Sequence, residues 1–309
     1  MGLFVRGLGK PGKGIDPDAP QKRGFFRFFD IFFRKFWHFV RLNLLYAVIS
    51  IPAFLIIFFL AGYISNGFLG TENAQNLLHT LAEQSGGDPA EWVARMQFLF
   101  DVVVRFSVAY LFMNIWGLGP STTGITYVLR NFAREEHAWI WIDFRDALKA
   151  NFKQSILVFI IDLLAFVLFF FAIRFYILMG GVVGLLRYVV YVVAILYTFM
   201  HLYIYPLMVT FKLSLKNIYR NALLFAVGRL PGNLLITVLL FGINAGVIYG
   251  TMFLGGSVAN GFLFIGLALI VFVMFSFSAF ITNFYVYPQM KRYMLTEQNI
   301  ETKPDTPEE

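Results

Sequence analysis

Residues 151–206 read NFKQSILVFIIDLLAFVLFFFAIRFYILMGGVVGLLRYVVYVVAILYTFMHLYIYP. An α-helix rises about 1.5 Å per residue, so about 20 apolar residues cross a bilayer and this stretch holds two crossings with a short turn. It opens at an asparagine and closes at a proline, as do residues 233–288 at the same spacing and residues 43–120 at a longer one. The sequence therefore predicts an all-α, polytopic membrane protein with six transmembrane helices in three repeated hairpins.

The pattern also divides the chain into a membrane domain and two polar tails. Residues 1–23 form a basic, flexible tail, and residues 296–309 form an acidic tail that we expect to be disordered. The membrane domain covers residues 24–295, with hairpins at about 42–120, 151–206 and 233–288.

The boundaries of the crossings follow from hydropathy. We place them at residues 42–64, 98–119, 155–174, 186–206, 233–254 and 262–287. The first hairpin is longer because a polar stretch, residues 71–91, lies within it. We interpret that stretch as a loop outside the membrane.

Charge sets the predicted orientation. Hydrophobic residues make up 59% of the chain and charged residues 14%, against about 25% in soluble domains. Of the 25 Lys and Arg residues, 21 fall on the side that holds both termini. Positive residues are retained in the cytoplasm, so both termini should be cytoplasmic in the cell membrane. The net charge of +7 then indicates contact with the anionic headgroups of the lipid bilayer rather than with nucleic acid.

The segment before the first crossing has two faces. Charged or imidazole side chains recur at steps of three or four residues, at Arg27, Asp30, Arg34, His38 and Arg41, and aromatic residues cover the remaining circumference. The pattern predicts an amphipathic helix lying in the cytoplasmic interface, with its basic stripe on the headgroups. It is either a membrane anchor, which we favour, or a docking face for a partner. Similar stretches at residues 144–152 and 219–225 precede the other hairpins and suggest an internal repeat.

Five polar residues fall inside the predicted crossings at related offsets from the hairpin ends, namely Asn114, Asp162, His201, Asn244 and Asn283. A buried carboxylate is costly in a membrane, so Asp162 should face the bundle interior, and His201 is its first candidate partner. This intramembrane polar layer is either a polar site with a proton-linked pair or a set of hydrogen bonds that holds the hairpins in register. We favour the hydrogen bonds.

The fifth crossing carries small residues on one face. Gly242, Gly246 and Gly250 recur every four residues, a spacing that lets another helix backbone approach closely. The spacing predicts tight packing within the chain in preference to dimerisation.

Motifs for enzyme chemistry give no support. The string GLGKPG at residues 7–12 fits G-x-G-x-x-G, but no strand precedes it, so we do not interpret it as a nucleotide site. The absence of cysteine excludes disulfides, thiolate metal sites and cysteine catalysis, and four scattered histidines give no metal spacing. We expect no cofactor, no metal and no enzyme activity.

The stretch GLGPSTTGITYVLRNFAREEHAWIWIDFRDALKANFKQSILVFIIDLL, residues 117–164, resembles the YesL-like family of bacterial integral membrane proteins, a domain of unknown function common in Gram-positive bacteria. The matching motif residues are Gly119, Ser121, Thr122, Thr123, Asn151, Phe152, Lys153 and Gln154. The chain departs from the family pattern at residues 53–115, which insert the polar loop and a second crossing before the Gly-Ser-Thr turn.

The resemblance implies an accessory or assembly component of bacterial oligosaccharide uptake, with a sugar permease complex as its partner. A stand-alone transporter or channel that uses the polar layer is the alternative. An enzyme acting on lipid is a third hypothesis, and no nucleophile or metal cluster in the sequence supports it.

Overall fold

The computed structural model describes residues 24–84, 88–255 and 261–295, so both predicted tails lie outside the described residues. Six helical spans within these ranges are long and apolar enough to cross a membrane. They are Phe36–Gly67, Pro89–Ile115, Phe152–Met179, Gly181–Thr210, Leu230–Thr251 and Phe264–Met294. The predicted all-α, polytopic fold is therefore confirmed.

The first hairpin and the segment before it contain five helices, α1 to α5. They are α1 (Gly24–Arg34), α2 (Phe36–Leu60), α3 (Gly62–Leu69), α4 (Glu72–Gln84) and α5 (Pro89–Ile115). The side chain of Asp88 accepts a hydrogen bond from the Ala90 N–H and caps α5. Most of the polar stretch that we interpreted as a loop, residues 71–91, is helical, because the Glu, Gln, Leu and Ala residues that it contains are good helix formers.

The segment before the first crossing differs from the prediction. The helix ends at Arg34 rather than at Arg41, and α2 begins at Phe36. Helix α1 buries Phe28 and Phe32 in the protein, where both rings contact Phe277. Its aromatic residues are therefore divided between the protein core and the exposed surface, and the prediction of a single helix with a lipid-facing aromatic side is wrong.

The basic stripe of α1 also has a protein partner. Arg27 Nε lies 2.8 Å and Arg34 Nη2 3.0 Å from the carboxylate of Glu135. Burial disfavours the charged form of Glu135, but hydrogen bonds from Arg34 and Arg27 outweigh it and lower the pKa of this carboxyl group. Two of the predicted headgroup contacts are thus replaced by ion pairs within the chain.

The second hairpin is preceded by two helices. These are α6 (Pro120–Ala133) and α7 (Ile140–Ala150), and the hairpin itself comprises α8 (Phe152–Met179), α9 (Gly181–Gly184) and α10 (Leu186–Thr210). Eleven of the 14 residues of α6 are buried, and this helix packs against α7 and α10. A Cβ on Gly124 would lie 2.8 Å from the ring of Phe144, so glycine is what permits the close contact of α6 with α7.

The third hairpin follows α11 (Leu215–Gly228). It comprises α12 (Leu230–Gly255), α13 (Gly261–Leu269), a π-helical turn (Ile270–Met274) and α14 (Phe275–Met290), and a second π turn (Lys291–Leu295) ends the described chain. Asn43 donates to the carbonyls of Ile270 and Val271 and accepts from the Ser276 N–H, at 3.2, 2.7 and 2.8 Å. The side chain thereby satisfies backbone groups that the π turn leaves without helical partners.

The glycine face of α12 does not pack as predicted. A Cβ added at Gly242, Gly246 or Gly250 would meet no atom within 4 Å in the described part of the chain. The buried side chains of α12 include Asn233, Leu240 and Asn244, which lie on another face. The prediction of tight packing within the chain at these glycines is wrong, because the helix is rotated to bury its asparagines.

The hairpin ends share only part of the predicted geometry. Pro206 and Pro288 lie inside the last turns of α10 and α14, whereas Pro120 is the first residue of α6. Asn233 donates to the carbonyls of Phe225 and Ala226 in the last turn of α11, and so caps the preceding helix. The second and third hairpins therefore resemble each other more than either resembles the first.

Candidate functional site

The polar layer meets around one small cavity. Asn114 on α5, His201 on α10 and Asn283 on α14 all line a cavity of about 50 Å³, which we call the polar cavity. Tyr46 of α2 and Thr122 of α6 complete part of its wall. The second long helix of each hairpin (α5, α10 and α14) thus places a polar side chain at this cavity. Each of these residues lies five or six positions before the proline that closes its hairpin.

Asp162 and His201 are in contact, as predicted. His201 Nε2 lies 2.9 Å from Asp162 Oδ1, and both side chains are fully buried. The carboxylate lies off the N–H direction of the ring, so the contact is electrostatic rather than a well-aligned hydrogen bond. The Tyr197 hydroxyl donates to the same oxygen at 2.7 Å.

The surroundings of His201 indicate where its protons lie. Nδ1 is 3.0 Å from the carbonyl oxygen of Trp116, a contact that requires a proton on Nδ1. The Trp116 indole stacks on the imidazole with centroids 5.5 Å apart, which holds the ring in place. The imidazole is therefore fixed between the Trp116 carbonyl at Nδ1 and the Asp162 carboxylate near Nε2.

The negative charge of Asp162 acts beyond the membrane span. Tyr219 lies on α11, and burial together with the nearby Asp162 carboxylate raises the pKa of its hydroxyl. Asp162 lies on α8 and contacts Tyr197 and His201 of α10, and its carboxyl group is close enough to α11 to influence Tyr219.

Asn244 belongs to a separate network next to this cavity. It accepts a hydrogen bond from the Tyr110 hydroxyl at 2.8 Å and donates to Ser278 Oγ at 2.9 Å and to the Leu240 carbonyl at 2.8 Å. These contacts join α5, α12 and α14. Asn244 therefore matches the hypothesis of interhelical hydrogen bonding.

The other two asparagines of the layer are only half satisfied. Asn114 Nδ2 donates to the Tyr110 carbonyl at 2.9 Å, and Asn283 Nδ2 donates to the Ala279 carbonyl at 2.7 Å. The Oδ1 atoms of both residues are buried without a hydrogen-bond partner. Buried oxygens without a protein partner are rare in proteins, so these two Oδ1 atoms are candidate contacts for a bound species.

The first half of the family motif builds the break between α5 and α6. Gly117 and Gly119 have φ angles of 86° and 68°, and the Thr122 hydroxyl accepts from the Leu118 N–H at 2.7 Å. Ser121 accepts a hydrogen bond from the Ser50 hydroxyl at 2.8 Å. Thr123 donates to the Pro120 carbonyl at 2.7 Å. These residues shape a turn beside the polar cavity.

The second half of the motif lines an open groove. Asn151, Phe152, Lys153 and Gln154 form one wall of a concave region of about 1470 Å³, which we call the motif groove. The opposite wall is the segment from the end of α10 to the N-cap of α11, residues 208–214. Gln154 Nε2 donates to the Leu213 carbonyl at 3.0 Å and joins the two walls.

Sequence reasoning did not identify the aromatic residues around His201. Tyr197 and Tyr205 lie four residues before and after it on α10, and the Tyr205 hydroxyl accepts from the Gly119 N–H at 3.1 Å. The i, i+4 spacing was a readable signal, since such residues share one helix face. The contribution of Trp116 had no comparable signal because it comes from a different helix.

One region of the chain is similar to a known protein family. Residues 94–173 match the family described as Protein of unknown function, DUF624, and this region includes all eight motif residues. Comparisons with curated proteins and with solved structures found no match. No group of three or more His, Asp or Glu side chains in the described ranges is arranged to hold a metal ion.

Proposed function

We propose that this protein is a non-enzymatic accessory or assembly component of a bacterial oligosaccharide uptake system, located in the cell membrane with both termini in the cytoplasm. The resemblance of residues 117–164 to the YesL-like family supports the carbohydrate context. The matched family region carries no assigned chemistry. The geometry supports assembly in preference to transport by the chain itself.

The polar cavity is too small for a sugar. Its volume of about 50 Å³ compares with about 300–1,000 Å³ for typical small-molecule sites. His201 is held against its walls by stacking on Trp116, which leaves little freedom to enlarge the cavity. A sugar pathway through this layer would require helices α5, α10 and α14 to separate.

The motif groove is the observation that carries the proposal. It lies at the end of the bundle that we assign to the cytoplasm, where a permease segment could reach it. Asp146, Lys149, Lys153 and Lys212 line it, a mixture of charges that suits a polar, charged peptide segment. We infer that a cytoplasmic segment of a permease subunit binds there.

Crosslinking in native membranes tests this proposal. The chain has no cysteine, so Lys149→Cys and Lys153→Cys each introduce one reactive thiol in the groove. Lys291→Cys is the matched control, an exposed lysine at the same end of the bundle and outside the groove. We expect both groove variants to crosslink to a carbohydrate permease subunit and the control not to do so. Equal crosslinking at all three positions would contradict a specific groove contact.

Thiol labelling of intact cells tests the proposed orientation. An impermeant reagent should label Thr80→Cys and should not reach Leu215→Cys, because the distribution of basic residues places position 215 inside. The opposite result would invert the topology.

A stand-alone transporter is the second candidate, and the Asp162–His201 pair favours it. A fully buried acid and imidazole are typical of proton relays in transporters. Solute flux in liposomes that contain only this chain would support this candidate. Flux that requires a permease subunit would support the accessory role.

A further inference from the structure

We propose that the polar cavity binds a monovalent cation of about the size of sodium. This inference goes beyond the accessory role, because an ion could bind there whether or not the protein transports anything. It rests on the oxygen atoms that line the cavity and on their fixed orientation.

Two amide oxygens are committed to the role of acceptors. Because the Nδ2 atoms of Asn114 and Asn283 donate to backbone carbonyls of their own helices, neither amide can rotate without losing that hydrogen bond. Each Oδ1 is therefore fixed as a hydrogen-bond acceptor or a cation ligand, and each is buried without a hydrogen-bond partner. Asn283 is 2% exposed as a whole residue.

The neighbouring hydroxyl groups add lone pairs. The Thr282 hydroxyl donates to the Ser278 carbonyl at 3.1 Å, and the Tyr46 hydroxyl donates to the Met113 carbonyl at 3.3 Å. The Thr282 oxygen remains as an acceptor on the cavity wall, whereas the Tyr46 oxygen is also hydrogen-bonded to Thr122 Oγ1 at 3.2 Å. Such a lining of oxygen lone pairs matches the ligand preference of hard cations.

The size and charge of the site select the class of ion. A water molecule needs about 10–15 Å³, so about 50 Å³ has room for an ion together with water. Divalent ions are usually held by carboxylates, and none is among the residues described along this wall. Asp162 contacts His201, which lines the cavity, and does not line the cavity itself.

The backbone around the cavity is consistent with an ion site. Residues 116–119 connect α5 to α6 without a regular helix, and Trp116 and Gly117 line the cavity. Irregular backbone next to a membrane span is tolerated where it lines a polar cavity, and sodium sites in transporters use the free backbone groups of broken helices.

Thermal unfolding of the purified full chain in detergent tests the proposal. The melting temperature is measured in NaCl and in choline chloride at equal ionic strength. We expect a saturable rise in NaCl, on the order of 5 °C at 100 times the dissociation constant. Asn283→Ala should abolish the rise. Asn283→Asp should enlarge it, since a carboxylate binds a cation more strongly than an amide.

Asn244→Ala is the matched control. Its oxygen already accepts from Tyr110, and it does not line the cavity, so this variant should melt lower but keep the full response to sodium. Equal melting of the wild type in NaCl and choline chloride would show that the cavity holds only water, and an unchanged response in Asn283→Ala would also overturn the proposal.

A second measurement covers the case in which Asn283→Ala does not fold. Line broadening of ²³Na in NMR should increase when wild-type protein is added, and less so with Asn114→Ala. The absence of broadening by the folded wild type would refute the site. Failure of this experiment leaves the groove crosslinks unaffected, so the two proposals are tested separately.

Discussion

Substitution of Asp162 distinguishes a hydrogen-bonding role from a titrating one. Asp162→Asn keeps a carbonyl oxygen for the Tyr197 hydroxyl and gains an N–H that can face Nε2 of His201. Hydrogen bonds between transmembrane helices average about 0.6 kcal/mol, so we expect this variant to lose about 0–1 kcal/mol. Asp162→Leu removes both acceptors.

The loss in Asp162→Leu follows from the hydroxyl left without a partner. The Tyr197 hydroxyl donates to the deleted oxygen at 2.7 Å, whereas His201 Nε2, 2.9 Å away, makes no aligned hydrogen bond to it. An unpartnered buried group costs about 1–3 kcal/mol, so the free energy of unfolding should fall by about 1–3 kcal/mol. Replacing Tyr197 with Phe in the same chain should recover part of that loss, because no hydroxyl is then left unpaired.

Reversible unfolding in mixed SDS micelles, followed by circular dichroism, measures these differences. The hydrogen-bonding role predicts that the Asn variant stays near wild type in both stability and function. If the Asn variant is as unstable as the Leu variant, the reasoning from hydrogen bonds is refuted. If it keeps its stability and loses function, the pair acts by titration and the transporter candidate gains support.

Three further predictions concern other parts of the bundle. Gly124→Ala should destabilise the protein by about 1–3 kcal/mol, because its Cβ would meet the ring of Phe144 at 2.8 Å, whereas Gly242→Ala should be neutral or stabilising in the same unfolding assay. Asn43→Ala should lower the free energy of unfolding by about 2–4 kcal/mol, because backbone groups of the π turn lose their partner. The backbone amides of the π turn should then exchange their hydrogens faster. Glu135→Gln should lower the free energy of unfolding by up to about 1 kcal/mol at pH 7. The lowered pKa of this half-exposed acid stabilises the fold at pH values above 4.5, the pKa of the unfolded chain. In unfolding curves, the stability difference between wild type and variant should disappear as the pH falls below that value.

The sequence was sufficient for the number and class of the membrane helices. Length and hydropathy are local properties, and a helix must satisfy its own backbone in lipid, so each crossing can be read without knowledge of its neighbours. The depth of the polar residues is also readable, because rise per residue converts an offset from a helix end into a distance. For this reason Asn114, His201 and Asn283 could be assigned to one layer.

The sequence was less informative about helix ends and the rotation of each helix. In lipid, the outward faces of a helix are as apolar as its packed faces, so hydropathy does not show which face meets protein. The glycine face of α12 was assigned to the interior on spacing alone, and the asparagine face occupies that position instead. The buried position of α6 and the docking of α1 on α14 were likewise hidden.

Only the tertiary structure decided how the polar side chains are satisfied. Three contacts join residues that are far apart in the chain. Asp162 lies 2.9 Å from His201, the Trp116 carbonyl contacts Nδ1 of His201, and Asn43 hydrogen-bonds to the π turn. Such contacts depend on the relative rotation and depth of two helices at once. Those quantities arise from the packing of the whole bundle, and no single segment encodes them.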